Sequence, residues 1–171
     1  TEPGLINMTD KTIAQVGIVV SDVEKTAQHY WEISGIGPWT LIDFMHPTTT
    51  CDLFHGLPTA EGFDFKVKAA IAEFNGLEIE LLEPVHGPST HMDFLKTHGR
   101  GVHHISFHIV DDHDAIVENM AREGIGIEMT GVMGGSSRYT YLSTQDVLCT
   151  VLECVKVDPN IQQATKELAT V

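Results

Sequence analysis

The sequence predicts an α+β fold: two βαβββ modules whose strands form one curled mixed sheet around a shared cup. Three observations predict it. First, Gln15-Val-Gly-Ile-Val-Val-Ser-Asp22 overlays His104-Ile-Ser-Phe-His-Ile-Val-Asp111 without a gap, at a shift of 89 residues. Second, each of these apolar, β-branched runs leads through acidic N-cap residues into an amphipathic segment, and Gly35 and Gly124, the same distance apart, stop those segments. Third, strand-like runs and turn residues follow each stop.

In the first copy, Ser21-Asp22-Val23-Glu24 fits a capping box, and Val23, Ala27, Tyr30 or Trp31 and Ser34 recur at helical spacing. Strands are expected over Trp39 to Met45, around Cys51 to Phe54, over Phe65 to Phe74 and, after an Asn75-Gly76 turn, over Leu77 to Leu82. In the second copy, Asp111-Asp112 opens a helix carrying Ile116, Met120 and Ala121. Strands are then expected over Ile125 to Val132, Arg138 to Leu142 and Val147 to Val155, with a turn at Gly134-Gly135-Ser136-Ser137. The linker Glu83 to Gly101 contains a short helical stretch, Met92 to Thr97. Residues 1–156 are thus expected to form one domain, with modules at about 12–84 and 101–156 and a polar tail at 157–171.

Composition narrows the function. Ten Lys and Arg against 24 Asp and Glu give a net charge of −14, which repels nucleic-acid phosphates and anionic lipid. Neither nucleic acid nor a membrane is expected as a partner, because no apolar stretch approaches the roughly 20 residues of a membrane helix. The first residues lack a signal-peptide pattern, and the expected location is the cytoplasm. Cys51, Cys149 and Cys154 form no CxxC motif and read as small buried hydrophobes.

Pleat alternation sorts the polar residues. His104, Ser106 and His108 share one strand face, and the repeat puts Gln15, Gly17 and Val19 on the equivalent face. His103 belongs to the opposite face and reads as structural. The last strands of the two modules each set a carboxylate among aliphatic residues, Glu80 in the first and Glu153 in the second. Such a carboxylate is costly to desolvate without a partner, and a metal ion suits two such strands at once. Gln15, Glu80, His104 and Glu153 are therefore candidate ligands of one divalent ion such as Zn²⁺, Ni²⁺, Co²⁺ or Mn²⁺. Thr150 is the alternative occupant of the Glu153 position. His108, Tyr139 and Tyr141 are candidate substrate-binding residues. His46, His55, His86, His91, His98 and His113 fall in loops or caps, where solvated histidines are expected.

Four segments resemble the metal-bearing strands of the vicinal oxygen chelate superfamily (glyoxalase, bleomycin resistance, dioxygenase). They are Gln15-Val-Gly-Ile-Val-Val, Leu77-Glu-Ile-Glu-Leu-Leu-Glu-Pro84, Gly101-Val-His-His-Ile-Ser-Phe107, and Tyr141-Leu-Ser-Thr-Gln-Asp146 with Val151-Leu-Glu-Cys154. The resemblance covers about residues 12–156 and places the family's ligands at Gln15, Glu80, His104 and Glu153. The ligand order resembles glyoxalase I, whereas the linker segments are more similar to methylmalonyl-CoA epimerases. It implies a metal-dependent isomerase, epimerase or lyase that moves a proton beside a carbonyl, with Glu153 as base and Glu80 as second base or ligand. The implied substrate is a small molecule, for which an acyl-CoA or a glutathione thioester or hemithioacetal is a candidate, and the implied assembly is a homodimer. Two departures matter. Gln15 stands where the dioxygenases have a histidine, which disfavours that alternative, and Gly62-Phe-Asp-Phe-Lys66 lacks the epimerases' second catalytic Glu, with Asp64 a poorly aligned stand-in. A non-catalytic sequestering protein, like the bleomycin-resistance branch, is the other alternative.

Overall fold

The computed structural model describes residues 11–109 and 112–158. The tail expected at 157–171 lies outside them from residue 159 onward. In chain order the elements are β1 (Ile13–Val19), α1 (Val23–Ser34), β2 (Thr40–Met45), β3 (Leu53–Phe54), β4 (Leu57–Pro58), β5 (Lys66–Phe74), β6 (Leu77–His86), α2 (Thr90–Thr97), β7 (Gly101–Ile109), α3 (His113–Arg122), β8 (Ile127–Met133), β9 (Ser137–Leu142), α4 (Gln145–Leu148) and β10 (Val151–Lys156). The ten strands form one mixed sheet in the order β2-β5-β6-β1-β7-β10-β9-β8-β3-β4.

The internal repeat is visible in that order. Parallel pairing of β1 with β6 is repeated by β7 with β10, and the antiparallel β1–β7 pair joins the modules at the centre. The registers also repeat: Gly17 is level with Glu80, and Ser106, its counterpart in the second copy, is level with Glu153. Both glutamates therefore arrive at equivalent heights on either side of the module junction.

Helix α1 starts where Asp22 accepts a hydrogen bond from the Lys25 amide at 2.9 Å, satisfying one of the unpaired N-terminal donors. The cap is thus Asp22 rather than the expected Ser21 box. Gly35, at φ 71°, ends the helix as a left-handed C-cap. Asp112 precedes α3 in a left-handed conformation and makes no side-chain cap bond, so the second copy departs from the expected acidic cap.

Alternation along the strands divides the core. Leu81 and Ala70 point outward and pack with Val20, Val23 and Ala27 under α1, while Leu142 and Cys154 pack with Ile116 under α3. The inward set, Phe65, Val67, Leu82, Met129, Tyr139, Tyr141 and Val151, forms the apolar lining within the curl.

Several local expectations are corrected. The segment around Cys51 to Phe54 does not extend the first meander. It forms the β3–β4 hairpin, which crosses to the far edge and pairs with β8 of the second module. Val147 and Leu148 belong to α4, and the last strand begins at Val151. Cys154 is buried, but Cys51 is half-buried and Cys149 exposed, so only one of the three fits the buried reading.

Candidate metal centre

The cup is a cavity of about 730 Å³, and Gln15, Glu78, Glu80, His108, Tyr139, Tyr141 and Glu153 all contribute to its wall. His104 lies beneath that wall, fully buried. Its Nε2 is 3.5 Å from Glu80 Oε2 and 3.4 Å from Glu153 Oε2. Both separations exceed an ordinary hydrogen bond. They match the spacing of two donors sharing one ion: ligand atoms about 2.1 Å from a tetrahedral centre are about 3.4 Å apart.

Satisfaction of polar groups points the same way. Among the described residues, the buried side-chain atoms without a hydrogen-bond partner include His104 Nε2, Glu153 Oε2, His91 Nδ1 and Ser106 Oγ, all on or beside the cup wall. Native interiors rarely leave such atoms unpaired, and a cation between His104 and the carboxylates would satisfy two of them. One imidazole, two carboxylates and an amide oxygen form a donor set suited to a divalent ion.

Gln15 brings the amide. Its Nε2 donates to Glu78 Oε2 at 3.1 Å, which leaves the amide oxygen for another partner. Glu78 was not foreseen as a site residue. It lies 4.0 Å from His108 Nε2, and His108 contributes to the cup wall at the rim rather than at the donor cluster.

Burial dominates the electrostatics. It pushes the Glu80 carboxyl up to about 8, with Glu78 adding to the rise. Burial also raises Glu153, opposed by His104 and reinforced by Glu80. His104 is lowered by burial, with the Glu153 charge acting in the opposite direction. Tyr141 is raised well above its ordinary value by burial and then by Glu153 and Glu80, so its hydroxyl keeps its proton. A site that penalises two carboxylate charges in this way rewards a compensating cation.

Two histidines correct the sequence reading. His91, expected to be solvated, is buried on α2, lines the cup and has its Nε2 3.2 Å from the Tyr141 hydroxyl. Burial, reinforced by His104, drives it down to about 3, so it stays neutral. His113 is also buried, with Nδ1 2.9 Å from Asp114 and Nε2 3.3 Å from Thr140 Oγ1. His103 sits at the irregularity in the β1–β7 register, so the expected alternation fails there: its ring packs against His91, Phe94 and Tyr141, and its Nδ1 is 3.0 Å from His104 Nδ1. His91, His103 and His104 together place one donor atom each within 4.8 Å of one another, a second arrangement able to hold an ion. In that cluster, however, the facing Nδ1 atoms of His103 and His104 already engage each other, whereas Nε2 of His104 is open toward Glu80 and Glu153. The Ser89 cap and the short helix after it are readable in the linker sequence; the docking of that helix over His103 is not. Thr150 donates to the His103 carbonyl at 3.3 Å and lies just before β10, three residues ahead of Glu153.

The family model described as the Glyoxalase/Bleomycin resistance protein/Dioxygenase superfamily matches residues 14–141. No curated protein matches the chain significantly. Among solved structures, a variant of Streptomyces coelicolor methylmalonyl-CoA epimerase in complex with 2-nitronate-propionyl-CoA is 25% identical. Its TM-score is 0.58, with 85% of this chain and 96% of that one covered. The methylmalonyl-CoA epimerase of Mycobacterium tuberculosis is 19% identical at TM-score 0.60, covering 88% and 91% of the two chains. A hypothetical protein from Bacillus halodurans C-125 is 16% identical at TM-score 0.60, covering 87% and 96%. The last two share the fold alone. With the repeat, the sheet order and the family match in agreement, this chain belongs to the glyoxalase/bleomycin resistance/dioxygenase superfamily, the vicinal oxygen chelate proteins.

Proposed function

We propose that this protein is a metal-dependent isomerase, epimerase or lyase that moves a proton at a carbon next to a carbonyl. The observation that carries the reading is the bare, fully buried His104 Nε2 facing Glu80 and Glu153 at 3.5 and 3.4 Å. Gln15, Glu80, His104 and Glu153 are the residues that would hold the ion. When bound, a divalent cation polarises the substrate carbonyl and so acidifies the neighbouring C–H.

The rest falls to the chain. Glu153 is the base for one face of the substrate, since its Oε2 has no hydrogen-bond partner. Glu80 serves the other face or stays a ligand. Both sit in surroundings that raise carboxyl pKa values toward the range in which a proton is readily taken and returned. Tyr139 and Tyr141 bound the reacting end from β9, and Phe65, Met129 and Met133 close the apolar side against water. Asp64, the nearest stand-in for the epimerases' second glutamate, reaches toward exposed His86 at 3.9 Å and lies outside the donor cluster.

Charge shapes the substrate. Among the described residues lining the cup there is no Lys or Arg, and Glu73 and Glu78 stand directly opposite one another on β5 and β6. The cup therefore suits an uncharged acyl group. The phosphates of an acyl-CoA would have to lie outside it, whereas a glutathione hemithioacetal brings less charge. Neighbours that bind acyl-CoA ligands support the first class, and the Gln, Glu, His, Glu donor set supports the second. The homodimer expected for this family is checked by solution mass.

The apolar wall also favours a second reading, a protein that sequesters a small molecule without turnover. Hydrogen–deuterium exchange at the α-carbon of methylmalonyl-CoA and of the methylglyoxal–glutathione hemithioacetal, in D₂O with added Zn²⁺, Co²⁺, Ni²⁺ or Mn²⁺, separates the two. Metal-dependent exchange with either supports catalysis. Binding without exchange, unaffected by chelator, supports sequestration.

A further inference from the structure

From His104 a line of buried hydrogen-bonding groups crosses from β7 through α2 to β8. His104 Nδ1 is 3.0 Å from His103 Nδ1, His103 Nε2 is 3.2 Å from Thr90 Oγ1, and Thr90 Oγ1 is 3.2 Å from Glu128 Oε1. His103, His104 and Thr90 are all almost completely buried, and Glu128 is half-buried at the outer end.

Proton counting gives this line a direction. Thr90 donates its single hydroxyl proton to Glu128 Oε1; burial raises the Glu128 carboxyl, and the Thr90 bond opposes that rise. The Thr90 oxygen must then accept from His103, which puts the His103 proton on Nε2 and leaves its Nδ1 bare. A bare His103 Nδ1 accepts from His104, so His104 carries its proton on Nδ1 and presents a bare Nε2 to Glu80 and Glu153. The opposite direction would turn the Thr90 proton toward His103 and leave the Thr90 and Glu128 oxygens facing each other at 3.2 Å with no proton between them. It would also aim a His104 Nε2–H at carboxylates standing beyond ordinary hydrogen-bond distance.

We propose that Glu128, Thr90 and His103 form a one-way hydrogen-bonded chain that holds His104 in the tautomer whose Nε2 lone pair faces the cup, making all three positioning residues for cation binding. The proposal rests on the reading of His104 as a metal ligand for its purpose, but the tautomer itself is a property of the metal-free protein. Its chemistry is that of ligating histidines generally, whose second ring nitrogen is fixed by an outer partner. What is particular here is the length of the chain and its anchoring carboxylate on a distant strand.

The test is ¹⁵N NMR of histidine-labelled, metal-free protein, with the His104 ring signals identified by their loss in His104→Gln. Wild type is expected to show an N–H-type Nδ1 and a bare-type Nε2. Thr90→Val and Glu128→Ala are expected to populate the other tautomer and to weaken Zn²⁺ binding about 10- to 100-fold, and Thr90→Ser to preserve both. Glu128 is half-buried at the rim of the chain, so Glu128→Ala decides the matter if Thr90→Val does not fold. A protonated Nε2 in wild type, or a tautomer unchanged in Glu128→Ala, overturns the proposal. A tautomer that responds in a protein that binds no Zn²⁺ supports the chain while removing the metal reading.

Discussion

Gly17 faces His104 across the antiparallel β1–β7 pair, and a Cβ on residue 17 would fall 1.9 Å from the imidazole Cε1. The absence of a side chain at this position is what lets the His104 ring pack directly against β1. Gly17→Ala is therefore expected to push the ring out of line with Glu80 and Glu153. A stability loss of about 1–3 kcal/mol is expected from overpacking. Zn²⁺ affinity should fall at least about tenfold. Chemical denaturation and metal titration of the variant check both.

The pH dependence of the metal-free protein follows from opposing groups. His91, His103 and His104 are lowered in the fold, so their contribution is present above the ordinary histidine value and is lost as pH falls below it. Glu80, raised to about 8, contributes stability at low pH that is lost as pH rises through its folded value. Between about pH 7 and 8, where the histidines of the unfolded chain have mostly lost their protons, the Glu80 effect prevails, and stability should fall with a slope below the roughly 1.4 kcal/mol per pH unit of one full proton. Thermal unfolding across that window is expected to show the fall in wild type and a flatter profile in Glu80→Gln. Added Zn²⁺ should raise the midpoint and remove the slope.

Glu153→Gln and Glu80→Gln keep the side-chain shape and remove the base. Against any substrate that wild type turns over, Glu153→Gln is expected to lower kcat about 100-fold or more, the scale of general-base loss. Glu80→Gln is expected to have a smaller effect on kcat and a larger one on metal affinity. Equal turnover in both variants would contradict the assigned roles.

Tyr141 presents its hydroxyl to His91 Nε2 at 3.2 Å, while His91 Nδ1 has no partner. Tyr141→Phe would leave the buried imidazole without either bond. A destabilisation of about 1–3 kcal/mol is expected, measurable by denaturant unfolding.

Much of the site was legible because it is built twice. The gap-free repeat put Gln15 level with His104 in sequence, and the pleat then put Glu80 and Glu153 on matching faces, where β6 and β10 hold them. His91 was not legible, because its burial depends on how α2 docks against β7, a long-range contact that leaves no periodic pattern in an eight-residue helix. The β3–β4 hairpin was misplaced for the same reason. Its two-residue strands look like part of the local meander, yet Leu53 pairs with Thr130. Glu78 reads simply as one carboxylate of an acidic strand until its bond to Gln15 shows it orienting the amide.

The most direct measurement is the metal content of protein purified without chelator or a nickel column, beside Gln15→Ala, His104→Ala and Glu153→Ala variants. About one divalent ion per chain is expected in wild type, and its loss in the His104 and Glu153 variants. Wild-type protein that is free of metal and neither binds nor is stabilised by any added divalent ion would contradict it.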